Sequence, residues 1–214
     1  ESDVYHSDVG DQYSNRTVKV TCNFNISLYI ANEATNSFDA SIVLPTSALG
    51  TEYMIQTYPN GDHNESSTNV THAKPCFMVI GTADNTPVRI SGPTAKINAL
   101  SPTPTDVRPD PNRTGISYFD IIIDEGESYF MRSSSNDNND LSGIEVKVNP
   151  QQNQDMCKTI SVFNGNTLTR VPYLTSISSN NRDYNMDHIF EQAYPTSNWG
   201  TKFAITSSLG FEDP

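Results

Sequence analysis

From Val18 to Ile30 every even position carries an apolar side chain: Val18, Val20, Cys22, Phe24, Ile26, Leu28 and Ile30. The odd positions hold Lys19, Thr21, Asn23, Asn25, Ser27 and Tyr29. A period of two puts all the apolar groups on one face, which predicts a half-buried strand, or two strands in line, and excludes a helix. Further strands are expected at Glu52–Tyr58, Phe77–Thr82, Val88–Ile90, Tyr118–Ile123, Ser128–Arg132, Ile144–Val148, Thr159–Phe163 and Thr201–Ser207. Turn signals separate them: Pro59-Asn60-Gly61, Asp84-Asn85-Thr86-Pro87, Ser91-Gly92-Pro93, Asp124-Glu125-Gly126 and Asn164-Gly165-Asn166. No segment has a helical period, and Asp187–Ala193 allows one short helical turn at most. Many short strands at this spacing predict an all-β chain of antiparallel, sandwich-like units, with a β-propeller as the alternative of similar spacing.

Polar loops join these strands. The chain holds 22 Asn, 24 Ser and 21 Thr. It also holds ten Tyr and nine Phe, more aromatic surface than a disordered chain carries. Asn60–Pro75, the Pro-rich Lys96–Thr114 and Ser133–Asp140 read as loops. A net charge of −12 argues against nucleic acid as a partner, since phosphate binding needs a basic patch. No apolar run approaches the length of a membrane-spanning helix, so no membrane insertion is expected.

A repeat is built into the chain. Leu44-Pro45-Thr46-Ser47-Ala48-Leu49-Gly50-Thr51-Glu52-Tyr53 recurs as Tyr194-Pro195-Thr196-Ser197-Asn198-Trp199-Gly200-Thr201-Lys202-Phe203. Upstream of each stand Val18-Lys19-Val20 with Ile26–Asn32, and Val146-Lys147-Val148 with Ile160–Asn166. The chain is thus expected to hold an N-terminal extension (1–17), a first β-rich repeat unit (18–145) and the start of a second (146–214), as a fragment of a longer array. Strand Thr201–Ser207, at the start of a unit, is expected to pair with the preceding unit or with another chain.

Few residues point to chemistry. Sequons for N-glycosylation stand at Asn15, Asn25, Asn64, Asn69 and Asn112, about the number that roughly five chance matches would give, so their count is no argument for secretion. The three cysteines, Cys22, Cys76 and Cys157, lack metal-ligand spacing. In an oxidising compartment they would form one disulfide and leave one thiol, with Cys76–Cys157 the favoured pair; otherwise they are small buried apolar residues. His6, His63 and His72 read as solvated loop residues, and Asp187-His188 as neighbours on opposite faces of a strand rather than a relay. Asn136–Asp140 resembles a calcium loop but has Leu141 and Lys147 where that loop needs Gly and Glu. Trp199, the only tryptophan, reads as a core anchor. No Gly-x-Ser-x-Gly elbow is present. No catalytic residue, metal site or cofactor is expected, and the chain is not read as an enzyme.

The two junction segments, together with Asp187–Thr201, the Phe77–Ile90 pattern with its Thr-Ala-Asp-Asn-Thr turn, Asp140-Leu141-Ser142-Gly143 and Ile160–Gly165, resemble the IgG Fc-binding protein N-terminal domain family over most of residues 18–208. The family's cysteine pair between the Phe-x-Gly strand and the Asp-His segment is missing, because Asn164–Asp187 contains no cysteine. Cys76 and Cys157 would then take over its stapling role. The resemblance implies a secreted, extracellular, non-catalytic glycoprotein module of mucus or matrix, whose partners are other extracellular proteins or copies of itself. It transfers no binding residue, and immunoglobulin binding is not carried over. The alternative is a recognition domain that uses the loops Asn60–Pro75 and Lys96–Thr114 to bind one host or microbial protein or glycan.

Overall fold

The computed structural model describes residues 13–34, 37–58, 74–134, 140–149, 158–169 and 187–204. In chain order the strands are β1 (Tyr13–Ser14), β2 (Leu28–Ala34), β3 (Ser37–Val43), β4 (Glu52–Met54), β5 (Pro75–Gly81), β6 (Thr86–Pro93), β7 (Leu100–Ser101), β8 (Arg108–Pro109), β9 (Ile116–Ile123), β10 (Ser128–Ser133), β11 (Glu145–Val148), β12 (Ile160–Thr169) and β13 (Asp187–Gln192). One helical turn, α1 (Thr94–Asn98), runs into the segment Lys96–Thr114 expected to be loop. All pairings are antiparallel. One sheet runs β1-β10-β5-β12-β13, with β7 also on β10; the second runs β4-β11-β6-β9-β8; β2 and β3 form a separate hairpin. The all-β, sandwich-like expectation holds, and the sheets close into neither a barrel nor a propeller.

Alternation explains which face is inside. On β9, Phe119, Ile121 and Ile123 are buried, while Tyr118 and Asp120 face outward. Val88 and Ile90 on β6, and Val146 and Val148 on β11, do the same. From the first sheet come Phe77, Val79, Tyr129, Met131, Ile160 and Val162, and the two sets form one continuous core. β5, central in its sheet, turns Phe77 and Val79 into the core and leaves Met78 and Ile80 on its other face only partly covered.

Several expectations are corrected. The alternating stretch is a strand only from Leu28 onward. Residues 18–27 join no strand ladder among the described residues, although Lys19 pairs with Glu125, and Val18 is 68% and Phe24 83% exposed. Alternation sets which side chains share a face; it does not supply a surface to cover them. Ser91-Gly92-Pro93 ends β6 rather than forming a turn. Asn164-Gly165-Asn166 lies inside β12, because Gly165 is where that strand passes close to β13: a Cβ there would sit 1.8 Å from the carbonyl oxygen of Ile189. Asp187–Gln192 is a strand, held along Phe163–Thr169 of β12, not a helical turn.

Thr201–Ala204 of the expected strand 201–207 makes no ladder, so it does not pair with the preceding strands; residues 205–207 lie outside the described set. The hairpin β2–β3 leans on β13 through side chains. Asp39 Oδ2 accepts from Phe190 N–H, and Ser41 Oγ accepts from Gln192 N–H at 3.1 Å. Gln192 in turn accepts from Leu44 N–H and donates to Ser161 Oγ at 2.7 Å, joining three segments.

Candidate functional site

The repeated junction is also a repeated structure. Pro45 (φ −63°, ψ 152°) opens a 3-10 turn over Thr46–Ala48, and Leu49 (φ −76°, ψ 160°) closes it. Pro195 (φ −61°, ψ 148°) opens the same turn over Thr196–Asn198, closed by Trp199 (φ −72°, ψ 136°). Proline sets φ for entry to the turn, and the Ser and Thr suit its short span. In both, the third turn residue donates to the proline carbonyl, at 2.8 Å for Ala48 and 2.9 Å for Asn198. The two turns touch: Asn198 Nδ2 donates to Ala48 O at 3.2 Å, and Thr196 Oγ1 to Glu52 O at 3.3 Å.

The residues beyond the two turns differ in burial. After the first, Tyr53 is fully buried, its hydroxyl donating to Ile160 O at 2.7 Å and accepting from Gly50 N–H at 2.9 Å. After the second, Phe203 is 76% exposed and Trp199 48%. The expected core anchor Trp199 is thus a surface residue. With Tyr194, Met54, Gln56 and Glu191 these two aromatics line an open cleft of about 570 Å³. Aromatic faces beside amide and carboxylate groups, mounted on a sandwich edge, suit contact with another macromolecule. Buried amides stiffen its floor: Asn164 Oδ1 accepts from Gln56 N–H at 3.2 Å, and Asn166 holds Tyr58 through both N–H and C=O.

The outward face of the second sheet carries the main group of charges. Arg89 makes a fork-like pair with Asp120 at 2.8 and 3.0 Å, and Arg108 joins the same carboxylate at 3.1 Å. Both guanidinium groups lie over the Tyr118 ring, 4.0 and 5.2 Å from its centre. Arg113 bridges Asp110 at 2.7 Å and Glu145 at 2.8 Å. The hydrogen bond from Arg113 is the main cause that holds Asp110 below the usual carboxylate range. Burial pushes Glu145 upward, but Arg113 and Ser91 outweigh it and the net shift is down. These charges neutralise one another, so the cluster reads as a structural lattice.

The other residues singled out in the sequence are dispersed. Asn15, Asn25 and Asn112 are exposed. Asn64, Asn69, Cys157, His6, His63 and His72 lie outside the described residues. Cys22 is an exposed free thiol and Cys76 a buried one, pushed up to about 12 by burial. His188 stacks on Phe190 and lies 3.4 Å from both Thr167 O and Asn32 Nδ2. Asp140, the described end of the expected acidic loop, accepts from Lys96 Nζ at 2.9 Å and Ser142 N–H at 2.7 Å. Among the described residues no three His, Cys, Asp or Glu side chains gather in a metal-binding group, and no helix is long and apolar enough to cross a membrane. Sequence reasoning missed the cleft, because a tryptophan at a turn gives no sign of which side it takes. The signal was there in the repeat: Phe203 stands where Tyr53 has its hydroxyl.

Fold and cleft together define an antiparallel β-sandwich module with an aromatic surface at a repeated junction. A family model described as IgGFc binding protein matches residues 39–213, and the chain belongs to that family. Membership places it among extracellular binding modules. Neither curated proteins nor solved structures gave a match.

Proposed function

We propose that the chain is a secreted, non-catalytic glycoprotein module of mucus or extracellular matrix that binds other proteins or copies of itself. The exposed aromatic cleft of Tyr194, Trp199 and Phe203 carries this reading: three large rings stand in solvent on a well-braced edge, where a partner would gain their burial. Family membership supports the extracellular setting. Asn15, Asn25 and Asn112 are accessible to a glycosyltransferase, and the net charge of −12 favours a hydrated, soluble surface.

The test is the mass of the natively sourced protein, taken non-reduced, reduced, and after N-glycosidase. A fall on N-glycosidase treatment is expected, with Asn25→Gln and Asn112→Gln each removing one step. A mass unchanged by N-glycosidase would overturn the secreted glycoprotein reading.

A further inference from the structure

Along β12 the inward face changes character. Ile160 and Val162 are fully buried in the core, and the next two side chains on that face are Asn164 and Asn166. The second sheet ends at its edge strand β4, and past that edge Asn164 lines the aromatic cleft. Buried amides need a partner at both ends. Asn166 has them, since Tyr58 engages its oxygen and its nitrogen. Asn164 does not. Its Oδ1 accepts from Gln56 N–H, which fixes the orientation of the amide and leaves Nδ2 as its unbonded end. Asn164 is 9% exposed, and its Nδ2 has no hydrogen bond among the described residues. A donor buried so far and left unmet is costly unless a bound molecule accepts from it.

Glu191 stands directly opposite Asn164 in the β12–β13 ladder, so both side chains leave the same face, about 5 Å apart at Cβ. Its carboxylate lines the same cleft, is exposed, and has no hydrogen bond or ion pair among the described residues. An amide donor beside a carboxylate acceptor is satisfied by one hydroxyl group, which accepts from the first and donates to the second. An ammonium or guanidinium group has no lone pair to offer Asn164. An ionised acid has no proton to offer Glu191, and the net charge of −12 repels it further. The exposed rings of Tyr194 and Trp199 wall the cleft, each with an apolar face and one polar hydrogen.

We propose that the cleft is a lectin-like site for a neutral hexose: Asn164 and Glu191 share one ring hydroxyl, and Trp199 and Tyr194 pack against the C–H face of the sugar. Rings of this kind combine uncharged hydroxyls with an apolar face, which is the combination the cleft offers to meet. The proposal rests on the reading of this cleft as the binding surface, and it specifies that a partner protein is held by a neutral glycan attached to it.

Trp199 is the only tryptophan, so its fluorescence reports on this cleft alone. The full chain is titrated to about 10 mM with neutral disaccharides of glucose, galactose, mannose and their N-acetyl forms, and with sialylated and sulfated counterparts. Expected is a saturable shift of Trp199 emission with at least one neutral sugar, and a weaker response to its acidic counterpart. Glu191→Ala and Tyr194→Ala alter exposed side chains and keep the reporter. With folding checked by circular dichroism, each is expected to weaken binding about tenfold. No shift with any neutral sugar overturns the proposal, as does a shift that both variants leave unchanged or an acidic sugar that binds as well. A glycoprotein with neutral N-glycans is also tested before and after N-glycosidase, and its effect on Trp199 should vanish with the glycans. If the stripped protein binds equally, the cleft recognises polypeptide: the sugar site is overturned, and the proposed protein-binding function stands.

Discussion

Gly50 of the first junction lies directly against Pro195 of the second: a Cβ built on Gly50 would come within 2.4 Å of the proline Cβ. The chain thus brings its two copies of one motif into contact across a spacing that only a glycine permits. Gly50→Ala forces the turns apart and strains the hydrogen bonds from Asn198 to Ala48 and from Thr196 to Glu52. The expected cost is about 1–3 kcal/mol, read as a lower urea midpoint at unchanged slope. An unchanged midpoint would show that the turns move freely past each other.

Tyr53→Phe removes a buried hydroxyl that satisfies Gly50 N–H and contacts Ile160 O. Burial pushes the Tyr53 pKa up, so the group stays a donor across the ordinary pH range. Stability is expected to fall by about 1–3 kcal/mol, because the buried Ile160 carbonyl and the partly buried Gly50 N–H lose the hydroxyl. Thermal and chemical denaturation of the variant check this; a loss well under that range would mean that water replaces the hydroxyl.

Acid should unfold the chain in a defined window. Asp110, Asp140 and Glu145 all have folded pKa values below their ordinary ones. For Asp140, burial pushes upward but is outweighed by Lys96 and Ser142. The native state therefore binds fewer protons than the unfolded chain. The stabilisation is fully present above about pH 4.5 and is lost as pH falls through the depressed values. Melting temperature is expected to drop below about pH 4, and less steeply in Arg113→Ala, where Asp110 and Glu145 lose their common partner. Parallel acid limbs for the two proteins would refute this assignment.

The two described thiols should differ sharply toward alkylation. Cys22 stands in solvent, while Cys76 is buried on β5 and its thiol is pushed far above neutrality. Iodoacetamide on the native protein, followed by peptide mass mapping, should modify Cys22 and spare Cys76 until denaturant is added. Early labelling of Cys76 would show that the sheet opens there.

Most of the sandwich was legible from Pro75 to Val148, where alternation coincides with burial. Val88, Ile90, Phe119, Ile121 and Val146 face inward as their spacing requires. The junction repeat was legible too, because its Pro and Gly dictate backbone angles as well as composition. Three features were hidden for physical reasons. Val18–Ile30 alternates as well as any buried strand, yet periodicity carries no information on whether a partner is present. Asn164-Gly165 has the same letters as a tight turn, but here the glycine serves a close strand crossing and the asparagines brace Gln56 and Tyr58. Trp199 closes a turn whose geometry is set by its proline, so the direction of the ring is a tertiary matter.

Strand β5 sits at the centre of its sheet, between β10 and β12. Synthesis runs from the N-terminus, so Phe77 and Val79 leave the ribosome long before Val162, which closes the sheet over Val79. At about 5–20 residues per second that delay is several seconds, during which this largely apolar strand has an open edge. Successful folding must therefore depend on a nascent chain that is shielded or kept extended over that interval.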